Sequence, residues 1–269
     1  MVSRDGTRIA YFKSGSGPAL VLVHGGFVDR RFWGPALPLL AQHFTVYAMD
    51  RRGHGDSDAY PADHDIAREY EDVAAVALAV GAPLDVLGHS SGAHVALHAA
   101  RRTGLVRRLV LYEPPRLDAF TSSLRARLHA SLAAGDLDSI VATVLVDVVV
   151  STTNPGLLPS ARQQVLAGLR ESPIWAGALL NAGAIPAEAD SYATYRFDPD
   201  EFRDFSTQTV LLLGSASGPV VQGWVQDLQG ALPSSRIVIL EGQGHGAMHE
   251  APELFVDNVR SALESVPDS

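Results

Sequence analysis

Ser90 stands at the centre of LDVLGHSSG, residues 84–92, where Gly88, Ser90 and Gly92 fill a G-x-S-x-G pattern. Apolar and β-favouring positions precede it and an Ala-rich helical run follows, so a strand feeds a sharp turn that opens a helix. A serine on so tight a turn leaves no room for a Cβ two residues to either side, which is why glycine is needed there. Ser90 is thereby presented at the C-terminal edge of a sheet. The helix that begins at Ser91 aims its first amides and its positive dipole end at any negative charge formed beside Ser90, so an oxyanion would be stabilised there. The pattern alone arises readily in a chain with 24 glycines, and the competing reading is an ordinary glycine-flanked turn. The strand before and the helix after favour the chemical one.

The elements that must position this serine follow from hydrophobic periodicity. Residues 2–12 are expected as two short strands around Asp5-Gly6, a dipeptide that accepts a tight hairpin turn. Residues 19–24 (ALVLVH) and 44–50 (FTVYAMD) are apolar runs of the kind found in strands buried on both faces. They end in His24-Gly25-Gly26 and in the turn RRGHGDSD. A helix is predicted over 66–80, with Asp63 or Asp65 available to cap it, another over 91–102, and a strand over 108–112 ending in Glu113-Pro114-Pro115. Strand and helix in alternation argue for an α/β fold with a mostly parallel sheet covered on both sides.

From residue 116 to 205 the pattern changes. Helices are predicted over 122–134 and 136–150, broken by Gly135, and, after STTNPG, over 162–169 and 173–182, with no strong buried strand. These residues are expected to form a helical cap over the sheet's C-terminal edge, where open α/β sheets bind ligands. Strands return at 209–213 and 236–240, with helices over 220–231 and 252–263 and a frayed tail, SVPDS. The expected division is a core of residues 1–115 and 206–269 and a cap of residues 116–205.

Composition narrows the function classes. With 269 residues, 46% of them hydrophobic, the chain can bury a large core as one domain or one domain carrying an insertion. The net charge of −9 is spread along the chain and the basic residues form only short pairs such as Arg51-Arg52 and Arg101-Arg102, so nucleic acid is not an expected partner. The absence of cysteine excludes disulfides, thiolate catalysis and cysteine-ligated metals. The opening MVSRDGTRIAYF has no basic region followed by an apolar core, and no apolar run reaches the roughly 20 residues of a membrane helix. A cytoplasmic protein with no membrane partner is therefore expected, and the abundance of Ala, Arg and Gly fits a GC-rich, bacterial coding sequence.

Four motifs, in order, carry a family resemblance: His24-Gly25-Gly26, the run from Asp50 to Ser57, Gly88-His89-Ser90-Ser91-Gly92, and Gly242-Gln243-Gly244-His245 before the last helix. Together they resemble the α/β-hydrolase superfamily over nearly the whole chain, in its single-domain bacterial esterase, C–C hydrolase and cofactor-free haloperoxidase type with a helical cap. The resemblance implies Ser90 as nucleophile. A serine hydroxyl needs a hydrogen-bonded base near neutral pH, and the resemblance places it at His245, with His249 as the fallback.

The third member departs from the family's commonest pattern, because the turn after residues 209–213 reads Gly214-Ser215-Ala216-Ser217-Gly218-Pro219 and holds no carboxylate. A subset of the superfamily, the haloalkane dehalogenases among them, carries the acid one strand earlier, and Glu113 sits at that position. Glu113 would orient His245 and stabilise its imidazolium. The alternatives are that Glu113 only pairs with an arginine such as Arg116 or caps a turn, with Ser217 or Ser215 orienting His245 instead.

The resemblance nominates the backbone N–H groups of Gly26 and Ser91 for the oxyanion hole and a structural task for the loop from Asp50 to Ser57, with neither Asp50 nor His54 catalytic. The histidines are read as lacking a ligand spacing with carboxylates such as H-x-x-x-H on a helix, so no metal is implied, and no cofactor is expected. Phe27, Trp33, His89, Trp175, Tyr192, Tyr195 and Met248 are the expected substrate-binding residues, and together they suggest an uncharged, fairly hydrophobic acyl compound as the small-molecule substrate. Three functions compete: a serine hydrolase acting on an ester, lactone or thioester through an acyl-enzyme; an enzyme of the same fold performing cyclisation, C–C cleavage or rearrangement of a natural-product intermediate; and a catalytically silent binding module. The oligomeric state is left open.

Overall fold

The computed structural model describes residues 1–61, 64–81, 83–153, 156 and 158–264. The sheet contains β1 (Tyr11–Ser14), β2 (Ala19–Val23), β3 (Thr45–Met49), β4 (Leu84–His89), β5 (Val106–Tyr112), β6 (Gln208–Gly214) and β7 (Ser235–Leu240). Their spatial order is β1-β3-β2-β4-β5-β6-β7, with β1 antiparallel to β3 and every other pairing parallel. The continuous apolar runs are explained by burial on two faces. In β2 and β4, Val21, Val23 and Val86 enter one hydrophobic cluster, while their alternate neighbours Leu20, Leu22 and Leu87 enter the other.

Helices α1 (Ala36–Leu40), α2 (Ile66–Val80) and α3 (Ser91–Thr103) precede or follow these strands. The cap of α2 is Asp65, whose side chain accepts from the Ala67 N–H; the other candidate, Asp63, lies outside the described residues. Between β5 and β6 run α4 (Ser122–Ala133), α5 (Leu137–Ala142), a π-helical stretch (Thr143–Val150), α6 (Ser151–Thr153), α7 (Pro159–Arg170), α8 (Pro173–Asn181) and α9 (Ile185–Thr194). The π-helical stretch reads TVLVDVVV, a run dominated by β-branched residues of low helix propensity. Helices α10 (Pro219–Ala231), α11 (Ala247–Glu250) and α12 (Pro252–Glu264) complete the chain. Among the described residues no helix is long and apolar enough to cross a membrane.

The structure departs from expectation in a few places. The N-terminal hairpin reduces to a single bridge between Val2 and Arg8 around Gly6, and the paired strand begins at Tyr11, because only from there does the chain reach β3. The short helices α1 and α11, and the longer α9, carry no clear apolar period in the sequence. The tail expected to fray, residues 265–269, lies outside the described residues.

The glycine after the serine turn has a packing role. A Cβ at Gly92 would stand 2.1 Å from the His24 carbonyl oxygen and 2.6 Å from that of Val23, both backbone atoms at the end of a central strand. Gly177, in α8, has nothing within 4 Å of its Cβ position. Gly92→Ala is therefore expected to lower unfolding stability by more than about 2 kcal/mol or to abolish soluble expression, whereas Gly177→Ala is expected to be neutral or to add up to about 1 kcal/mol. Urea unfolding of the two variants checks the contrast.

Candidate active site

Because β4 ends at His89 and α3 begins at Ser91, Ser90 must turn the chain within one residue. It does so at φ 53° and ψ −130°, a region non-glycine residues avoid at a cost of about 1–3 kcal/mol. The turn is held by the Ser90 N–H donating to the Tyr112 carbonyl at 2.9 Å and by the Ser90 carbonyl accepting from the Ala93 N–H at 2.9 Å.

One strand over, Glu113 follows β5, also with positive φ (44°), and its N–H donates to the Leu212 carbonyl at 3.1 Å. Its side chain is fully buried. One carboxylate oxygen, Oε1, accepts from the Gly214 N–H at 2.8 Å and from the Ser217 hydroxyl. The other, Oε2, lies 2.8 Å from Nδ1 of His245, whose side chain is 22% exposed. With Oε1 already satisfied, Oε2 accepts a hydrogen bond from the imidazole, which assigns Nδ1–H to His245 as donor and leaves Nε2 as an acceptor.

The loop carrying His245 is fixed from beneath. The Tyr112 hydroxyl donates to the Gly244 carbonyl and accepts from the Ala247 N–H at 3.2 Å. His89 Nε2–H donates to the His245 carbonyl at 3.1 Å, and the His89 ring stacks on Phe32 at 5.2 Å. Burial, with the neighbouring His245 adding to it, holds the His89 pKa well below its ordinary value, so this ring is a neutral prop.

Ser90 and His245 border one cavity of about 250 Å³, which Gly26, Ser91 and Glu113 also line. The His24 ring fixes the peptide preceding Gly26: its Nε2 accepts from the Arg51 N–H at 2.9 Å, so Nδ1 carries the proton donated to the Gly25 carbonyl at 2.7 Å. That carbonyl belongs to the same peptide as the Gly26 N–H, which is therefore turned the opposite way. Among the described residues, neither the Gly26 nor the Ser91 amide meets an acceptor. Two unpaired donors beside a serine are suited to a developing oxyanion.

A model of the alpha/beta hydrolase family matches residues 20–258. The chain belongs to the alpha/beta hydrolase family. Its fold has the family's mostly parallel sheet flanked by helices, and it is similar to a solved alpha/beta hydrolase from Sphaerobacter thermophilus, at 32% identity and a TM-score of 0.83 over 98% of this chain and 99% of that one. A solved esterase from Rhodococcus sp. is similar at 25% identity and a TM-score of 0.71, covering 99% of this chain and 98% of that one. Over 121 aligned residues, 42% of this chain and 44% of the relative, it is 40% identical to an N-formylmaleamate deformylase from Pseudomonas putida.

The remaining residues of this alpha/beta hydrolase that were nominated from sequence divide into two groups. Phe27, His89 and Tyr192 line the cavity. Trp33, Trp175, Tyr195 and Met248 do not; they are buried in the two hydrophobic clusters or packed against them. Trp33 and Met248 lie on the sheet face covered by α1 and α12, and Trp175 packs under Arg170. His249 packs edge-on to Phe32 at 4.7 Å and is not part of the cavity wall. Of the serines offered as orienters, Ser217 bonds Glu113 rather than His245, and the Ser215 hydroxyl accepts from the Gly242 N–H at 2.8 Å. Arg116 lies over the Trp224 ring at 5.5 Å, and Glu113 is instead paired with His245.

The expectation about histidine spacing also needs correction, since His94 and His98 stand four apart on α3. Three of their four ring nitrogens are engaged: His94 Nε2–H donates to the Pro115 carbonyl at 2.6 Å, and the Tyr195 hydroxyl bridges His94 Nδ1 at 3.0 Å and His98 Nε2 at 3.1 Å. Among the described residues, no three of His, Asp and Glu are grouped to hold a metal ion.

In the loop from Asp50 to Ser57, expected to have a structural task, Asp50 accepts from the Arg30 N–H at 2.8 Å and the Asp56 N–H at 2.9 Å, and Arg52 pairs with Asp72 at 2.6 Å. Sequence reading missed Glu188 of α9, which is fully buried beside Gly26, and the apolar walls Phe32, Phe120, Leu145, Val148 and Ile174. The spacing of Glu188 and Tyr192, one helical turn apart after Pro186, is the signal that could have drawn attention to α9.

Burial lowers the pKa of His24 and His98 to about 3 and that of His94 to about 4 from the ordinary 6.5. Between those values the unfolded chain binds protons that the folded one does not, so stability is full above pH 6.5 and falls as pH drops toward 4. Each ring's contribution changes by up to about 2 kcal/mol between pH 6.5 and 5. Urea midpoints are expected to fall steeply from pH 7 to pH 5; a flat profile contradicts this burial of neutral imidazoles.

Proposed function

We propose that this chain is a serine hydrolase that cleaves an ester, lactone or thioester of an apolar small molecule through an acyl-enzyme. The observation that carries the reading is the carboxylate of Glu113, held through one oxygen by Gly214 and Ser217 and bonded through the other to His245 Nδ1, at the edge of the cavity that Ser90 shares. In this reading Nε2 of His245 takes the Ser90 proton as Oγ attacks the acyl carbon, and Glu113 stabilises the imidazolium. The Gly26 and Ser91 amides bind the tetrahedral oxyanion, and the leaving group takes the proton back from Nε2. Water then attacks the acyl-enzyme with His245 again as base, and Ser90 is released. The family membership supports hydrolysis, as does the similarity to an esterase and, over part of the chain, to a deformylase.

The cavity argues for the substrate class. Its wall is mostly apolar, with Phe27, Phe32, Phe120, Leu145, Val148 and Ile174 surrounding the reactive end, and Arg116 and Glu250 adding charge to the lining. A volume of about 250 Å³ suits a compact acyl compound. The partner is a small molecule, and the helical segment between β5 and β6 acts as the cap.

Short p-nitrophenyl esters are the direct assay. The wild-type protein is expected to turn them over, and Ser90→Ala to be inactive with an unchanged melting temperature. Glu113→Gln is expected to lower kcat by roughly 10²- to 10⁴-fold with the fold intact, and Ser217→Ala, which removes only a support of Glu113, to lower it less. Activity that survives Ser90→Ala sinks the acyl-enzyme mechanism.

A further inference from the structure

Two successive glycines, Gly25 and Gly26, carry the first oxyanion donor, and such a dipeptide has no backbone preference that would aim an amide. The peptide before Gly26 is held by His24. The peptide after it is held by a residue 161 positions later: the Phe27 N–H donates to Oε2 of Glu188 at 3.1 Å. Phe27 is a non-glycine residue at φ 72°, a conformation that persists only where its surroundings enforce it. Glu188 belongs to α9, in the helical segment, so its carboxylate reaches from the cap to the loop beside the serine.

The carboxylate is completely buried and its charge is met by the core. Oε1 lies 2.9 Å from Arg51 Nη1 and accepts from the Tyr192 hydroxyl, while Oε2 is 3.3 Å from His54 Nε2. The Arg51 guanidinium is also fully buried, bonds Glu69 at 2.6 Å, and donates to the Ser91 hydroxyl at 3.2 Å. Ser91 supplies the second oxyanion amide. Both donor residues therefore hang on one charged cluster. A buried ion pair is a poor source of stability relative to an apolar filling. What this cluster adds is direction, since a charge-assisted bond fixes the Gly26–Phe27 peptide.

We infer that Glu188 is a positioning residue for the oxyanion hole, so that docking of α9 and formation of the hole are one event. The inference rests on the acyl-transfer reading and deepens it. Glu188 touches no reacting atom; it acts through the Phe27 peptide and, by way of Arg51, through Ser91.

The test is turnover per competent site. Fluorophosphonate labelling driven to completion counts competent serines, so a loss of folded protein lowers the count and leaves kcat per site unchanged. For Glu188→Gln, of the same size but unable to serve Phe27 and Arg51 together, kcat per site for a p-nitrophenyl ester is expected to fall about tenfold or more while KM stays within about threefold. The inhibition constant of a trifluoromethyl ketone, which adds the serine to form an oxyanion, is expected to rise by the factor by which kcat/KM falls. Tyr192→Phe removes one donor to Glu188 and is expected to give a smaller loss in the same direction; it decides the matter if Glu188→Gln yields no competent sites. Unchanged kcat per site, or a change confined to KM, overturns the inference and leaves the acyl-transfer reading standing. A wild-type protein that neither labels nor turns over overturns both.

Discussion

Glu113 is a carboxylate with no access to water, and the rest of the site is arranged by how its two oxygens are satisfied. An isolated buried carboxylate is strongly disfavoured, so it requires donors. Three converge: the Gly214 amide at the end of β6, the Ser217 hydroxyl in the following turn, and His245 from the loop after β7. The parallel register that brings the ends of β5, β6 and β7 side by side makes that convergence possible. The tyrosine just before Glu113 bonds the backbone on either side of His245, so the acid and its imidazole are fixed by adjacent residues of one strand end. The position of the imidazole and the nitrogen it turns to the carboxylate thus follow from sheet geometry.

The second constraint is electrostatic. The loops after β2 and β3 bring His24, Arg51, Arg52 and His54 into places without solvent, and each is met by an internal partner. Burial lowers the pKa of His24 to about 3, so this ring stays neutral and keeps one donor and one acceptor nitrogen, the state in which it can join the Arg51 amide to the Gly25 carbonyl. The carboxylates of Glu69 and Glu188 remain ionised because Arg51 and the neighbouring histidines outweigh the burial that opposes their charge. These polar groups bond Phe27 and Ser91 of the cavity lining, and Glu188 links α9 of the helical segment to the strand ends.

How much of this was legible in the sequence depends on the range of the interaction involved. The strands from residue 19 onward and the helices after β3 and β4 follow from local periodicity, and the structure reproduces them to within a residue or two, whereas the N-terminal pair of strands does not form as expected. The serine turn was readable because its requirement is local: a strand, two glycines and a helix within nine residues. Glu113 could be singled out only because the family resemblance offers a second place for the acid, one strand earlier, when the six-residue turn after β6 holds no carboxylate. The wall of the cavity was not readable in the same way. Trp33, Trp175, Tyr195 and Met248 are large and lie near the right loops, but size also suits them to the interior, and which face a helix presents is decided by partners far away in the chain. Residues of the π-helical stretch, which line the cavity, look in sequence like ordinary core. Glu188 escaped notice for the same reason, because its partners Phe27, Arg51 and His54 are all more than 130 positions away.

The most direct measurement is the resting tautomer of His245, read by nitrogen-15 NMR of histidine-labelled protein near pH 8 with His245→Gln used to assign the signal. Nδ1 is expected to carry the proton, in a slowly exchanging bond to Glu113, with Nε2 bare toward Ser90. A His245 ring protonated at Nε2, or one averaging between the two tautomers, would contradict the claim that the carboxylate at the end of β5 prepares the imidazole to act as a base.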